Sequence, residues 1–328
     1  MTGTVPGRDP RRRWWILVAV GVTGLVGAYA GFVLTATGQA LENAALRGAD
    51  QVADWNLAES DEALAHITVA SLAVACTVIA VVGLLRRSVP LAVAAVGTVV
   101  AGQVVTQGLK TFILPRPALV EASEAYTGNS FPSGHTAIAL TVLAATLMLA
   151  TWRVRGVALF FVASSAVAIA GYTLQSKWHR LSDTLGSAAV TLIVASLASL
   201  WLHRRGLVRT VTTGGHRARI VLVAAPLAIG TVVSAALGVL LLVASDDVLG
   251  ADPVIEYNVY LALQSLAAAG SGATALALWW SWHRIEVVTH ADGAAPQRPD
   301  RSTSAAAAAE DAQEEQEDVE DVEEDRRR

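Results

Sequence analysis

The chain has 328 residues, of which 53% are hydrophobic and only 16% charged. A soluble protein of this size carries about one charged residue in four, and its surface helices keep one wet face; a water-soluble globular fold is therefore excluded. The net charge of -4 says little about partners, because residues 310–325 are mostly Glu and Asp, and no nucleic-acid partner is expected.

Run after run of about 20 residues is almost free of charge, the length that crosses a bilayer as a helix. The first follows Arg11, Arg12 and Arg13 and continues from Trp14 to Leu34. That is longer than the apolar core of a signal peptide, so it reads as a retained first helix. Eight spans are predicted, at 14–36, 64–85, 89–109, 135–152, 156–175, 183–202, 219–244 and 258–282. The single cysteine, Cys76, falls inside the second and has no partner for a disulfide or a metal site.

Arginines gather before the first span, at Arg86 and Arg87, at Arg153 and Arg155, from Arg204 to Arg219 and at Arg284. These are alternate connections, and the excess of positive charge on cytoplasmic loops assigns them, with both termini, to the cytoplasm. Trp14, Trp15, Trp152, Trp201, Trp279, Trp280 and Trp282 fall at the same boundary, where amphipathic rings anchor. The connections 37–63, 110–134, 176–182 and 245–257 are then extracytoplasmic. They are poor in basic residues except at Lys110, Arg116, Lys177 and Arg180. From about 286 the chain loses hydrophobicity, with Pro296, Pro299, an alanine run and an acidic block, which predicts a disordered cytoplasmic tail.

Three segments of the outer connections carry reactive residue types: Lys110 to Pro117 (KTFILPRP), Phe131 to His135 (FPSGH) and Trp178 to Asp183 (WHRLSD). A phosphate dianion needs cations and N–H donors, and Lys110 and Arg116 supply the charge. Ser133 stands where a helix cap is expected and Gly134 follows it, so backbone N–H groups of the first turn form an anion site reinforced by the helix dipole. His179 and Asp183 are four residues apart, on one helical face. A carboxylate behind an imidazole fixes its tautomer and raises its basicity. His135 is then available as a general acid toward a leaving oxygen. Two histidines, one acid and two cations fit phosphoryl transfer without a metal or other cofactor.

The three segments together resemble the signature of the type 2 phosphatidic acid phosphatase superfamily, over roughly residues 60–203. The resemblance implies an all-α membrane helix bundle and a metal-independent phosphatase acting on a lipid phosphate or diphosphate through a phosphohistidine. It implies His179 as nucleophile, Asp183 as its orienting carboxylate and His135 as acid, with Lys110, Arg116, Ser133 and Gly134 holding the phosphate. Residues 1–13 then form a cytoplasmic N-terminus, 14–203 a six-helix phosphatase-like core, 204–285 two additional spans and 286–328 the tail. Two departures stand out. Five residues separate Lys110 from Arg116 where the family has six, and the family's serine and arginine before the nucleophile align with Tyr172 and Thr173. Lys177 and Arg180 are the candidates to replace that arginine.

The substrates implied are a polyprenyl diphosphate, phosphatidylglycerol phosphate or phosphatidic acid, hydrolysed at the extracytoplasmic face of a bacterial cell membrane. The competing reading is a catalytically weak or inactive relative that acts as a lipid-phosphate binding or scaffold protein. A transporter fits less well, since transporters carry ionisable residues near the bilayer midplane and here they cluster at one edge. Trp55, Glu59, Asp61, Glu121, Glu124, Tyr126 and Asn129 are secondary candidates for headgroup contacts. Gln103, Gln107 and His66 read as packing or boundary residues. Small residues at 267–273 suit close helix packing or a homo-oligomer.

Overall fold

The computed structural model describes residues 9–121, 128–211, 220–245 and 252–288. The expected tail from residue 289 onward, and the headgroup candidates Glu124 and Tyr126, lie outside the described residues.

Helix α1 (Arg11–Ala28) continues into a π-helical turn, Tyr29–Val33. Thr35 then caps α2 (Ala36–Gly48), its hydroxyl accepting the Gly38 N–H at 3.0 Å. A second short helix, α3 (Asp54–Ala65), meets α4 (Val69–Leu85) at a 57° bend. The bend has a local cause. Thr68 and Ser71 form a capping box, each side chain accepting the other's backbone N–H, and restart the helix in a new direction. Helix α5 (Val89–Gly108) is capped by Ser88, carries Pro90 in its first turn, and ends in a π-helical turn, Leu109–Ile113. Helices α6 (Gly134–Leu149), α7 (Arg155–Gln175) and α8 (Leu181–Arg204) follow. The strand β1 (Val208–Thr210), the helices α9 (Ala225–Ala244) and α10 (Pro253–Ser281), and the strand β2 (Ile285–Val287) complete the described chain.

Among the described residues six helices are long and apolar enough to cross a membrane, or seven if α3 and α4 count as one bent span; α6 is a shorter apolar helix. All eight predicted spans fall on helices. The connection 37–63, expected as an outer loop, instead forms α2 and α3. They escape a search for spans because they are only 13 and 12 residues long and mix polar with apolar positions. Residues 285–287, expected at the edge of the tail, form a strand that pairs antiparallel with β1, Arg209 opposite Glu286.

Burial ranks the helices. In α8, 72% of the apolar window is buried inside the protein, against 6% in α9. Helix α8 is the central post and α9 lies on the rim with its apolar side chains exposed. Around α8 the core joins Leu91, Ala95 and Val99 of α5, Leu140, Leu143 and Leu147 of α6, Leu159 of α7, and Ala275 and Leu278 of α10. Helix α2 has its own cluster with α10, through Ala44, Ala45, Val259 and Leu263. A Cβ at Gly48 would collide with the Glu256 carbonyl, which makes this approach possible only for glycine.

Helices α6, α8 and α10 run from one end of the bundle, and α1, α5 and α7 run from the other. The end where α6 and α10 finish is tied by Arg155, which is 1% exposed. Its guanidinium donates to the carbonyls of Leu147 (3.0 Å), Ala150 (2.8 Å), Trp282 (2.7 Å) and Ile285 (2.6 Å). The indoles of Trp14 and Trp282 pack beside it, with ring centroids 5.8 Å apart.

Replacing Arg155 by Met leaves those carbonyls buried without a donor. Hydrogen bonds to a charged group contribute about 1.5–3 kcal/mol each and are not additive, so Arg155→Met is expected to destabilise by about 3 kcal/mol. Arg209→Ala removes an exposed 3.4 Å pair with Glu286 and should change stability by less than about 1 kcal/mol. Thermal unfolding in detergent compares the two.

Candidate active site

The opposite end of the bundle gathers the three reactive segments. The Phe131–His135 segment is fixed from three sides. Asn129 donates through Nδ2 to the carbonyls of Lys110 (2.9 Å) and Leu114 (2.8 Å), and its Oδ1 accepts the Phe131 N–H. Ser133 caps α6, its Oγ accepting the Thr136 N–H at 3.3 Å, and it is fully buried. Its own N–H donates to the Asp183 carbonyl at 3.0 Å. The Ser187 hydroxyl lies 2.6 Å from the Ser133 carbonyl and 2.9 Å from that of Asp183, its proton shared between them. Gly134 faces α5: Gln103 Nε2 donates to its carbonyl at 3.3 Å, and a Cβ there would sit 3.1 Å from Gln107 Nε2. Gly134 and His135 carry N–H groups of the first helical turn, the set with no intrahelical acceptor.

The segment that bears His179 starts where α7 ends. Lys177 adopts φ +58°, turning the chain, and the His179 N–H donates to the Thr173 carbonyl at 3.0 Å. His179 is 7% exposed, and its Nδ1 lies 3.3 Å from Asp183 Oδ2. The same oxygen accepts the Arg180 N–H at 2.9 Å. Asp183 thus serves twice, as the third residue of α8 closing the helix start and as the partner of the imidazole. With Nδ1 engaged, Nε2 is the nitrogen left for chemistry. The rings of His135 and His179 have centroids 5.9 Å apart, and Trp178 stands edge-on to His135 at 5.3 Å. Two imidazoles at this separation can address one tetrahedral phosphorus from opposite sides.

The cations come from the turn after α5. Lys110, in the π-helical turn, is near enough to Asp183 and His135 for its charge to be felt at both. Arg116 is buried, its side chain 5% exposed, and its Nη2 donates to Glu42 Oε2 at 2.9 Å. Glu42, on α2, is 1% exposed overall, and its other oxygen accepts the Ser182 N–H at 2.8 Å. Burial pushes the Glu42 carboxyl above the usual range, and the charge of Asp183 adds to this; Arg116 and the Ser182 N–H offset only part of it. The 114–119 segment is held against α2, with Gln39 Nε2 donating to the Pro117 carbonyl (2.7 Å) and Gln39 Oε1 accepting the Leu119 N–H (3.2 Å).

Arg180 and Lys177 part company. Arg180 is buried beside His179 and donates to Ser130 Oγ at 3.0 Å, whereas Lys177 forms an ion pair with Asp50 in the α2–α3 connection. Thr173, where the family pattern has arginine, is fully buried and its hydroxyl donates to the Ala170 carbonyl. Of the secondary candidates, Asn129 pins the loops and Glu59 accepts the Tyr172 hydroxyl at 3.0 Å. Trp55 is 69% exposed. Among the described residues no three His, Cys, Asp or Glu converge as metal ligands. Glu42, Gln39 and Ser187 were not singled out by the sequence. The only signal for Glu42 was an acid amid small and apolar residues in ATGQALENAAL.

Residues 91–207 match the family model described as the PAP2 superfamily. No curated protein and no solved structure matches the chain. The matched stretch begins in α5, later than the sequence signature suggested, and contains Lys110, Arg116, Ser133, Gly134, His135, His179 and Asp183. It supports phosphatase activity in coarse form and leaves α1 to α4, α9 and α10 unmatched.

The contact between α8 and the Phe131–His135 segment is tight enough to test. A Cβ at Gly186 would lie 2.7 Å from Phe131 Cε2 and 3.2 Å from Pro132 Cβ. Gly186→Ala is expected to destabilise by about 1–3 kcal/mol through overpacking. Gly97→Ala, with nothing within 4 Å, should be neutral or stabilise by up to about 1 kcal/mol. Melting temperatures of the two variants in detergent give the comparison.

Proposed function

We propose that this PAP2-superfamily protein hydrolyses a lipid phosphate or diphosphate in two steps through a phosphohistidine. The observation that carries the reading is the buried His179–Asp183 pair with His135 5.9 Å away, ring to ring. In the first step His179 Nε2 attacks phosphorus, the bond to the lipid oxygen breaks, and His135 gives its proton to that oxygen. In the second, His135 takes a proton from water, the hydroxyl attacks phosphorus, and inorganic phosphate leaves with His179 restored. Asp183 keeps the imidazole in the tautomer that presents Nε2 and stabilises its positive charge. Lys110, Arg116 and the first N–H groups of α6, at Gly134 and His135, neutralise the phosphoryl oxygens. Arg180, buried next to the nucleophile, takes the part of the arginine that the family pattern has at Thr173.

A lipid substrate is favoured by the surroundings of Lys110. Phe112 and Ile113, in the same π-helical turn, are 84% and 62% exposed, which suits a headgroup at the site with its tail in the membrane. Polyprenyl diphosphate, phosphatidylglycerol phosphate and phosphatidic acid are the substrates to try. We place the site end outside the cytoplasm and both termini inside, from the bias of basic residues and tryptophans toward the other end. A second reading, a lipid-phosphate binding protein without turnover, draws on one observation, the threonine at the family's arginine position.

Purified protein supplied with these lipids and a chelator is expected to release inorganic phosphate. His179→Ala and His135→Ala should each lower kcat by about a thousandfold or more. Arg180→Ala should lower kcat/KM by at least about tenfold and Lys177→Ala by less than about threefold. No release from any lipid by the wild type would leave the binding reading standing. For sidedness, a Trp55→Cys variant in a Cys76→Ala background should react with an impermeant maleimide on intact cells, and Arg209→Cys should not.

A further inference from the structure

Outside the matched residues 91–207, α2 sends one fully buried carboxylate into the site, and nothing in the two-step reaction above uses it. Its two oxygens divide their work. Glu42 Oε2 accepts from Arg116 Nη2 at 2.9 Å, and Oε1 accepts from the Ser182 N–H at 2.8 Å. One side chain thereby joins the phosphate-binding arginine to the first turn of α8, the turn that bears Asp183. The helix carrying it is anchored at both ends. Gln39 ties it to the Val33 and Pro117 carbonyls, each at 2.7 Å. Arg47 pairs with Glu256 at 2.6 Å, and Gly48 lies against the α10 backbone.

Arg116 itself is left half used. Its Nη1 is buried and has no hydrogen-bond partner among the described residues. A guanidinium is a rigid planar fork, so fixing Nη2 also fixes the direction in which Nη1 donates. A buried N–H without an acceptor is destabilising, and a phosphoryl oxygen would relieve that cost.

We propose that Glu42 is a positioning residue of the phosphate site, holding Arg116 by one nitrogen so that the other is presented to the phosphoryl group. The proposal rests on the phosphatase reading for its substrate, though not for its test. Two effects oppose each other. The negative charge of Glu42 repels a phosphate, while its geometry orients a donor toward it. Orientation wins because both partners of Glu42 are donors. A glutamine has a single acceptor oxygen, so its NH2 group would face either Arg116 or the Ser182 N–H and push one of them away.

The test uses the full-length chain in detergent and inorganic phosphate as the probe, its dissociation constant read from thermal stabilisation. Glu42→Gln is expected to weaken phosphate binding about tenfold, Arg116→Ala about as much, and the double variant no more than Arg116→Ala alone, because the two residues act as a unit. If Glu42→Gln does not fold, Glu42→Asp and Arg116→Lys complete the same cycle. A carboxylate with a merely structural role would lower the melting temperature and leave the phosphate constant of the folded protein unchanged. That result, tighter binding in Glu42→Gln, or losses that multiply in the double variant, would overturn the proposal. Lipid hydrolysis is scored separately. Coupled phosphate binding without turnover on any lipid sinks the enzymatic reading and keeps Glu42 in its place; turnover with an uncoupled cycle does the reverse.

Discussion

Everything at the candidate site depends on how the first turn of α6 is joined to the first turn of α8. The Ser133 N–H donates to the Asp183 carbonyl, and the Ser187 hydroxyl sits between the carbonyls of Ser133 and Asp183. These contacts are buried, where a hydrogen bond lost is expensive. They fix His135, two residues after Ser133, relative to His179, four residues before Asp183. The separation of the two imidazoles is thus set mainly by backbone groups and the Ser187 hydroxyl. Gly186 lets the two segments approach, because its missing Cβ is the space occupied by the Phe131 ring.

The helix directions extend the same logic to the whole bundle. Helices α6, α8 and α10 all begin at the site end, so three N-termini with their positive dipole ends point the same way. At the other end, the finishing turns of α6 and α10 leave carbonyls that need donors. Arg155 and Arg86 supply them: Arg86 donates to the Leu149 carbonyl at 2.7 Å and Arg155 to four more. Arginines that the sequence presents as topological markers are therefore also structural ligands of helix ends. One end of the bundle gathers helix N-termini, and the other ties its carbonyls with arginines.

Most of this could be read from the residues, and what could not has physical causes. The spans were legible because a bilayer demands long uncharged runs. The pairing of His179 with Asp183 followed from helical spacing, and the cap at Ser133 from its place before Gly134 and His135. The helices α2 and α3 were not legible. Each is too short to span, and each is stabilised by contacts distant in sequence, such as Gly48 against Glu256 and Tyr172 against Glu59. Nor did sequence separate Lys177 from Arg180. Both are cations within three residues of one another, and only the fold assigns one to Asp50 at the surface and buries the other beside His179.

Glu42 shows why a motif leaves out part of a site. Short patterns capture groups that touch the reacting atoms, since their spacing is fixed by the chemistry. A group that acts through another residue need only reach that residue, and it can come from any element that passes nearby. Here it comes from a helix 74 residues upstream of Arg116. Burying Arg116 without a counter-charge would be strongly unfavourable, so a guanidinium 5% exposed already implies that some acid must be found beside it. The sequence offered little to say which acid, because the outer connections contain many and Glu42 is marked only by its small and apolar neighbours. The constraint comes from Arg116, and the fold meets it with a carboxylate that also holds the start of α8.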